Sequence, residues 1–104
     1  MSEELLLKIK DAIDITFEDD DVERKIIGII EDGIEVLRSI FGAGEDVEID
    51  WTMPGFERML LKNWCLYELN NVGDKFKENY RSEIIGMQIK YGEKEWKKAN
   101  SIIT

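Results

Sequence analysis

The stretch DDVERKIIGIIEDGIEVLRSIFG, Asp20 to Gly42, decides the fold. Asp20 followed three residues later by Glu23 resembles a capping box, with Asp in place of Ser or Thr. Val22, Ile26, Ile29 or Ile30, Ile34, Leu37 and Phe41 then recur at three- and four-residue steps. That spacing lays one apolar stripe along a helix. Gly42 stands where a left-handed residue closes such a helix. The stretch therefore predicts a helix over residues 21–41. Gly28 and Gly33 lie inside it, and each costs about 1 kcal/mol against Ala. They are either tolerated weak points or places where another helix approaches too closely for a Cβ.

Toward the N-terminus, Ser2 is a candidate cap, and Glu3 and Glu4 suit the positive end of a helix dipole. Leu5, Leu6, Ile9 and Ile13 supply one apolar face, so residues 3–13 read as a first helix that stops at 14–16. Toward the C-terminus, Pro54 fits the first position of a third helix, where a missing N–H costs nothing. Phe56, Met59, Leu60, Asn63, Trp64 and Tyr67 keep helical spacing, with Leu61, Cys65, Leu66 and Leu69 between them. A helix apolar over so much of its circumference belongs at the centre of a bundle. Asn70-Asn71-Val72-Gly73 ends it. A fourth helix starts near Asp74, carries Phe76, Tyr80, Ile84, Met87 and Tyr91 as its stripe, and closes at Gly92. The expectation is an all-α bundle of four main helices in residues 1–92. Residues 93–104 form either a short appended helix or an arm ordered by a partner.

Residues 42–53 differ in kind. Val47, Ile49 and Trp51 alternate with Asp46, Glu48 and Asp50, which is the period of an extended strand with one apolar side. The chain offers no second strand to pair with it. Two readings stand. The segment is an extended loop laying Val47 and Trp51 on the helices, or a strand that pairs with another subunit by edge addition.

The 104 residues are one domain's worth of chain. They include 14 Lys and Arg, 23 Asp and Glu, no His and one Cys, for a net charge of −9. The lack of His removes the Ser-His-Asp triad, the Cys-His pair and His-ligated metal sites. One Cys makes no disulfide framework, and the lone Cys65 suits a reducing compartment. The negative balance argues against nucleic acid held through its phosphates. The acidic start, Met1-Ser2-Glu3-Glu4, is unlike a secretory signal, and no apolar run approaches the 20 or so residues needed to span a bilayer. Charge is unevenly shared. Residues 1–53 hold 16 acids and 5 bases, giving −11, whereas residues 54–104 hold 7 acids and 9 bases, giving +2.

The acidic run Glu18-Asp19-Asp20-Asp21 does not make a calcium loop. An EF-hand begun at Asp14 would put Asp19 at the glycine position and Lys25 at the bidentate glutamate. The run reads as a solvated helix start. Cys65, inside the most apolar helix, reads as a buried packing residue. Lys94, Lys97 and Lys98 around Trp96 read as a solvated face.

One family resemblance runs through these elements. Leu7-Lys8-Ile9-Lys10-Asp11-Ala12-Ile13-Asp14 leads into the acidic turn, and the long helix from Val22 to Phe41 follows. A Pro-initiated helix from Pro54 to Leu69 comes next, then one from Phe76 to Tyr91 containing Asn79-Tyr80-Arg81-Ser82-Glu83-Ile84. This order, over residues 3–92, resembles the small head–tail connector (head-completion adaptor) proteins of tailed phages and prophages. The chain departs from it at Val47–Trp51 and after Gly92. The resemblance implies a helical bundle assembled as a ring below the portal, with no enzyme activity, no cofactor and no catalytic residues. It implies as partners other copies of the chain, the portal protein and tail-side connector proteins. Neither specific nucleic-acid binding nor a membrane enters, and the expected location is the virion, or the host cytoplasm during assembly.

A ring needs head-to-tail contacts between unlike faces, and the unequal halves supply some complementarity. Val47, Ile49, Trp51, Trp96, Ile102 and Ile103 are the candidate subunit-interface residues. Asp19, Asp20, Asp21, Asp46, Glu48 and Asp50 are the candidate acidic lining of a channel that repels passing DNA. The alternative is an acidic interaction module, or a DNA-mimic inhibitor, that binds a nucleic-acid-binding protein through its carboxylates.

Overall fold

The computed structural model describes residues 2–12 and 20–101, with side chains as far as Glu93. Its regular structure is helical throughout: α1 (Glu3–Ala12), α2 (Asp20–Phe41), α3 (Phe56–Leu69), a 3-10 turn (Gly73–Lys75), α4 (Phe76–Asn79) and α5 (Arg81–Ser101). The all-α expectation holds, and there is no strand among the described residues. Five helices replace the expected four. Ile13, the expected end of the first helix at 14–16, and Asp19 lie outside the described residues.

Local chemistry sets the helix ends. The Ser2 hydroxyl accepts from the Leu5 N–H at 3.2 Å, so Ser2 is the cap of α1. At the end of α2, Gly42 adopts φ 73°. Its N–H donates to the Ser39 carbonyl and that of Ala43 donates to Arg38, at 3.1 and 3.0 Å. This is a Schellman closure, and a Cβ at Gly42 would strain it. The end of α3 repeats the pattern with Asn71 at φ 58°. Val72 N–H reaches the Tyr67 carbonyl and Asn71 N–H reaches Glu68. Asn tolerates that conformation better than most side chains.

Three expectations for the later helices are corrected. Pro54 does not open α3. The helix begins at Phe56 with Gly55 as its cap, which leaves Pro54 just outside. The fourth helix is broken at Tyr80, whose φ −114° and ψ 24° separate α4 from α5. The rings of Tyr67, Phe76 and Tyr80 gather there with centroids 5.1–5.8 Å apart, and Asn79 donates to the Tyr67 hydroxyl at 2.8 Å. An i, i+4 stripe survives such a bend, because both segments still turn the same side inward. Gly92 does not close the last helix either. α5 runs through it to Ser101.

α2 packs on α3 and on α5. Gly33 is the contact point with α3, where a Cβ would come within 2.7 Å of the Trp64 ring. α5 starts beside Tyr67, near the end of α3, and reaches Glu57 at the start of α3 by Tyr91. The core includes Leu5, Ile9, Ile26, Ile30, Leu37, Leu60, Leu61, Cys65, Phe76, Ile84 and Met87. One end of it is aromatic. Trp51 stacks on Phe41 at 6.2 Å, and Phe41 stacks on Tyr91 at 5.6 Å. Ten residues of α5 continue past this stack, about 15 Å of helix at 1.5 Å per residue. The molecule is elongated, 53 × 29 × 20 Å.

Candidate functional site

Residues 42–55 carry no regular structure within the chain, and the alternating segment lies on the chain's own helices. Trp51 is buried in the chain's own core, and Val47 and Ile49 pack half-buried against it. Glu48 and Asp50 point to solvent. The loop is braced by Arg38, whose guanidinium donates to the Gly44 carbonyl at 2.7 Å, and by Arg58, which donates to the Thr52 carbonyl at 2.8 Å. Three of the candidate interface residues thus serve the chain's own packing to different degrees. Of the other three, Trp96 sits on α5 beyond the described side chains, and Ile102 and Ile103 lie outside the described residues.

The acidic candidates do not form one cluster. Asp20 and Asp21 are exposed in the first turn of α2, with Asp21 3.2 Å from Arg24. Asp46, Glu48 and Asp50 are exposed beyond its other end. A helix of 22 residues puts about 33 Å between the two groups. Sequence reasoning missed what lies between them. Glu31, Asp32 and Glu35 are exposed on the solvent side of α2 and extend the acidic surface along the helix. They occupy the arc opposite Ile26, Ile30, Gly33 and Leu37, so the wheel already contained them. Asp50 accepts from the backbone N–H of Thr52 at 3.0 Å and from its hydroxyl, and these bonds hold its carboxyl below the usual carboxylate range.

An open groove of roughly 400 Å³ lies where the end of α2 meets α4 and α5. Ile40, Ile84 and Ile85 give it an apolar floor, and Lys77 and Arg81 give it a cationic rim. Gln88 closes one side by donating to the Ile40 carbonyl at 3.1 Å. Ile89, one turn past Ile85, is 63 % exposed. Ile85 and Ile89 also escaped the sequence reading. They are four residues apart on α5 but off the stripe that packs inward, and that surplus of apolar residues was the available signal. A second open pocket, between α1 and the start of α3, is lined by Lys8, Asp11, Arg58 and Lys62 among others.

On the other flank of α5, the Glu57 carboxylate accepts from Lys90 Nζ at 2.6 Å and from the Tyr91 hydroxyl at 2.7 Å. Burial raises the Glu57 pKa, but the bonds from Lys90 and Tyr91 outweigh it and hold the group below its ordinary value. Burial and the neighbouring Glu57 push the Tyr91 hydroxyl up. A carboxyl with a lowered folded-state pKa stabilises the fold above its unfolded pKa and loses that contribution as pH falls through the folded value. Unfolding free energy is therefore expected to drop below about pH 4.5. Glu57→Gln should cost about 1 kcal/mol at neutral pH and flatten that acid limb, as read from urea titrations at several pH values. An acid limb of unchanged steepness in the variant would assign the effect to other carboxyls.

Burial, helped by Glu68, pushes the Cys65 thiol up to about 12, so it remains protonated in the core. Among the described residues no group of three or more Cys, Asp or Glu side chains is placed to hold a metal ion. No helix among them is long and apolar enough to cross a membrane. Comparison with family models, with curated proteins and with solved structures finds no match.

Proposed function

We propose that this chain is a structural adaptor of the head–tail connector kind, one copy of a ring that joins portal to tail in a phage particle after DNA packaging. The observation that carries the reading is the presence of unlike surfaces on one small chain. An apolar groove with a cationic rim lies on the α5 side, and an acidic surface runs along α2 and the loop that follows it. Ring closure needs such heterologous contacts. The element order that resembles the connector proteins supports the same role. In this reading the carboxylates from Asp20 and Asp21 through Glu31, Asp32 and Glu35 to Asp46 face the channel, and Glu48 and Asp50, further along the loop, are left to a subunit contact. Their field repels DNA in transit rather than holding it.

The test is deletion of the coding sequence from the phage or inducible prophage that carries it. Filled heads and separate tails should accumulate, and the chain supplied in trans should restore joined particles. Normal particles without the protein would overturn the reading. The same α2 carboxylates also favour a second one, an acidic module that occupies a nucleic-acid-binding protein. It predicts intact particles on deletion and a stable complex with such a protein in place of incorporation into virions.

A further inference from the structure

We propose that the groove between α2 and α5 of one copy receives the loop tip of a second copy. Met53 and Phe56 of the second copy lie on its apolar floor, and Glu48 and Asp50 approach Lys77 and Arg81. The proposal rests on the adaptor reading, because it names the partner of the groove described above.

Both surfaces are incomplete on the isolated chain. Ile85 and Ile89 stand 48 % and 63 % exposed beside the groove, and Met53 and Phe56 stand 59 % and 55 % exposed at the start of α3. Exposed apolar side chains beside a groove of this kind offer area for a partner to cover. Their charges are complementary. Among the described residues the charged ones lining the groove are Lys77 and Arg81, and neither has an ion-pair partner there. The loop carries Glu48 and Asp50 just before Met53, and Thr52 holds the Asp50 carboxylate in place and in its ionised form. Arg58, two residues past Phe56 in the chain, is engaged by the Thr52 carbonyl. Charges placed this way fix register and exclude wrong partners more than they add affinity.

Position makes the occupant another copy rather than the chain's own loop. Gln88 ties α5 to Ile40 on the groove side. Lys90 and Tyr91 tie it to Glu57, next to Phe56, on the α3 side. Groove and the start of α3 thus lie on different flanks of α5, and the chain's own Met53 and Phe56 stay exposed rather than covering Ile85 and Ile89. Joining the loop tip of one copy to the groove of the next leaves a free groove and a free tip at the two ends. That is the head-to-tail geometry that propagates into a ring.

The test is cross-linking between full-length chains. Met53→Cys and Ile85→Cys are made singly, mixed in equal amounts at high concentration and treated with a short bismaleimide. Buried, protonated Cys65 makes the unsubstituted chain the blank. The mixture should yield at least tenfold more covalent dimer than either variant alone. Adding Arg81→Glu to the Ile85→Cys chain should lower the yield about fivefold, and Glu48→Lys on the Met53→Cys chain should restore it. A yield from the mixture no higher than from the single variants would overturn the contact, as would Met53→Cys linking to itself equally well. Loss of the cross-link with a positive deletion test would leave the adaptor role standing and assign its contacts to another surface. A cross-link together with normal particles on deletion would keep the contact and retire the adaptor role.

Discussion

Trp51→Ala is expected to lower the unfolding free energy of the isolated chain by about 3–4 kcal/mol, the range for removing a large aromatic side chain from a packed core. Trp51 is 6 % exposed although it sits in a loop without regular structure. Its ring lies on Phe41, and Phe41 lies on Tyr91, so one stack joins the loop to the end of α2 and the middle of α5. Truncation leaves Phe41 with one face uncovered and opens a cavity that Val47 and Ile49, held on the same loop, fill only in part. Trp51→Phe keeps the stack and should cost under half as much. Urea unfolding of the three proteins decides the matter. A loss below 1 kcal/mol for Trp51→Ala would mean that the segment does not depend on the chain's own core, and the subunit-pairing reading would return.

That residue also shows where legibility in the sequence ends. The alternation of Val47, Ile49 and Trp51 matches the side of the segment that turns inward. Period two says which side is apolar but not what covers it. Here the covering surface is Phe41, a residue of the neighbouring helix, and only the path of the chain brings the two together. Helix ends were legible where a single residue's conformational preference decides them, as at Ser2, Gly42 and Asn71. The break at Tyr80 was not legible, because the pattern from Phe76 to Tyr91 is identical for a straight helix and for one bent at an aromatic cluster. Gly92 misled for a related reason. A glycine is required at a left-handed closure, but its presence does not compel one, and in α5 the helical bonds continue through it. The interaction surface was the least legible feature. Ile85 and Ile89 are ordinary helix residues in the sequence, and they gain meaning once Ile84, Met87 and Tyr91 are seen to take the inward side.

The two glycines of α2 should respond in opposite directions to a larger side chain. A Cβ built on Gly33 comes within 2.7 Å of the Trp64 ring and 3.0 Å of Leu61 Cδ1, whereas one built on Gly28 meets nothing within 4 Å. Gly28→Ala therefore removes only the conformational cost of glycine in a helix and should stabilise the chain by up to about 1 kcal/mol. Gly33→Val must push α3 away from α2 or force the Trp64 ring out of its place, and overpacking of that kind costs about 2–3 kcal/mol. Gly33→Ala lies between, because its overlap with Trp64 is offset by the helix preference that Ala restores. Thermal and urea unfolding of the three variants would rank them Gly28→Ala, Gly33→Ala, Gly33→Val, from most to least stable. The sequence allowed both glycines to be weak points or close approaches, and the structure divides them, with Gly33 setting the separation of α2 and α3. Gly33→Val as stable as the unsubstituted chain would show that Trp64 can yield at no cost. The α2–α3 contact would then be looser than a Cβ clash at 2.7 Å implies.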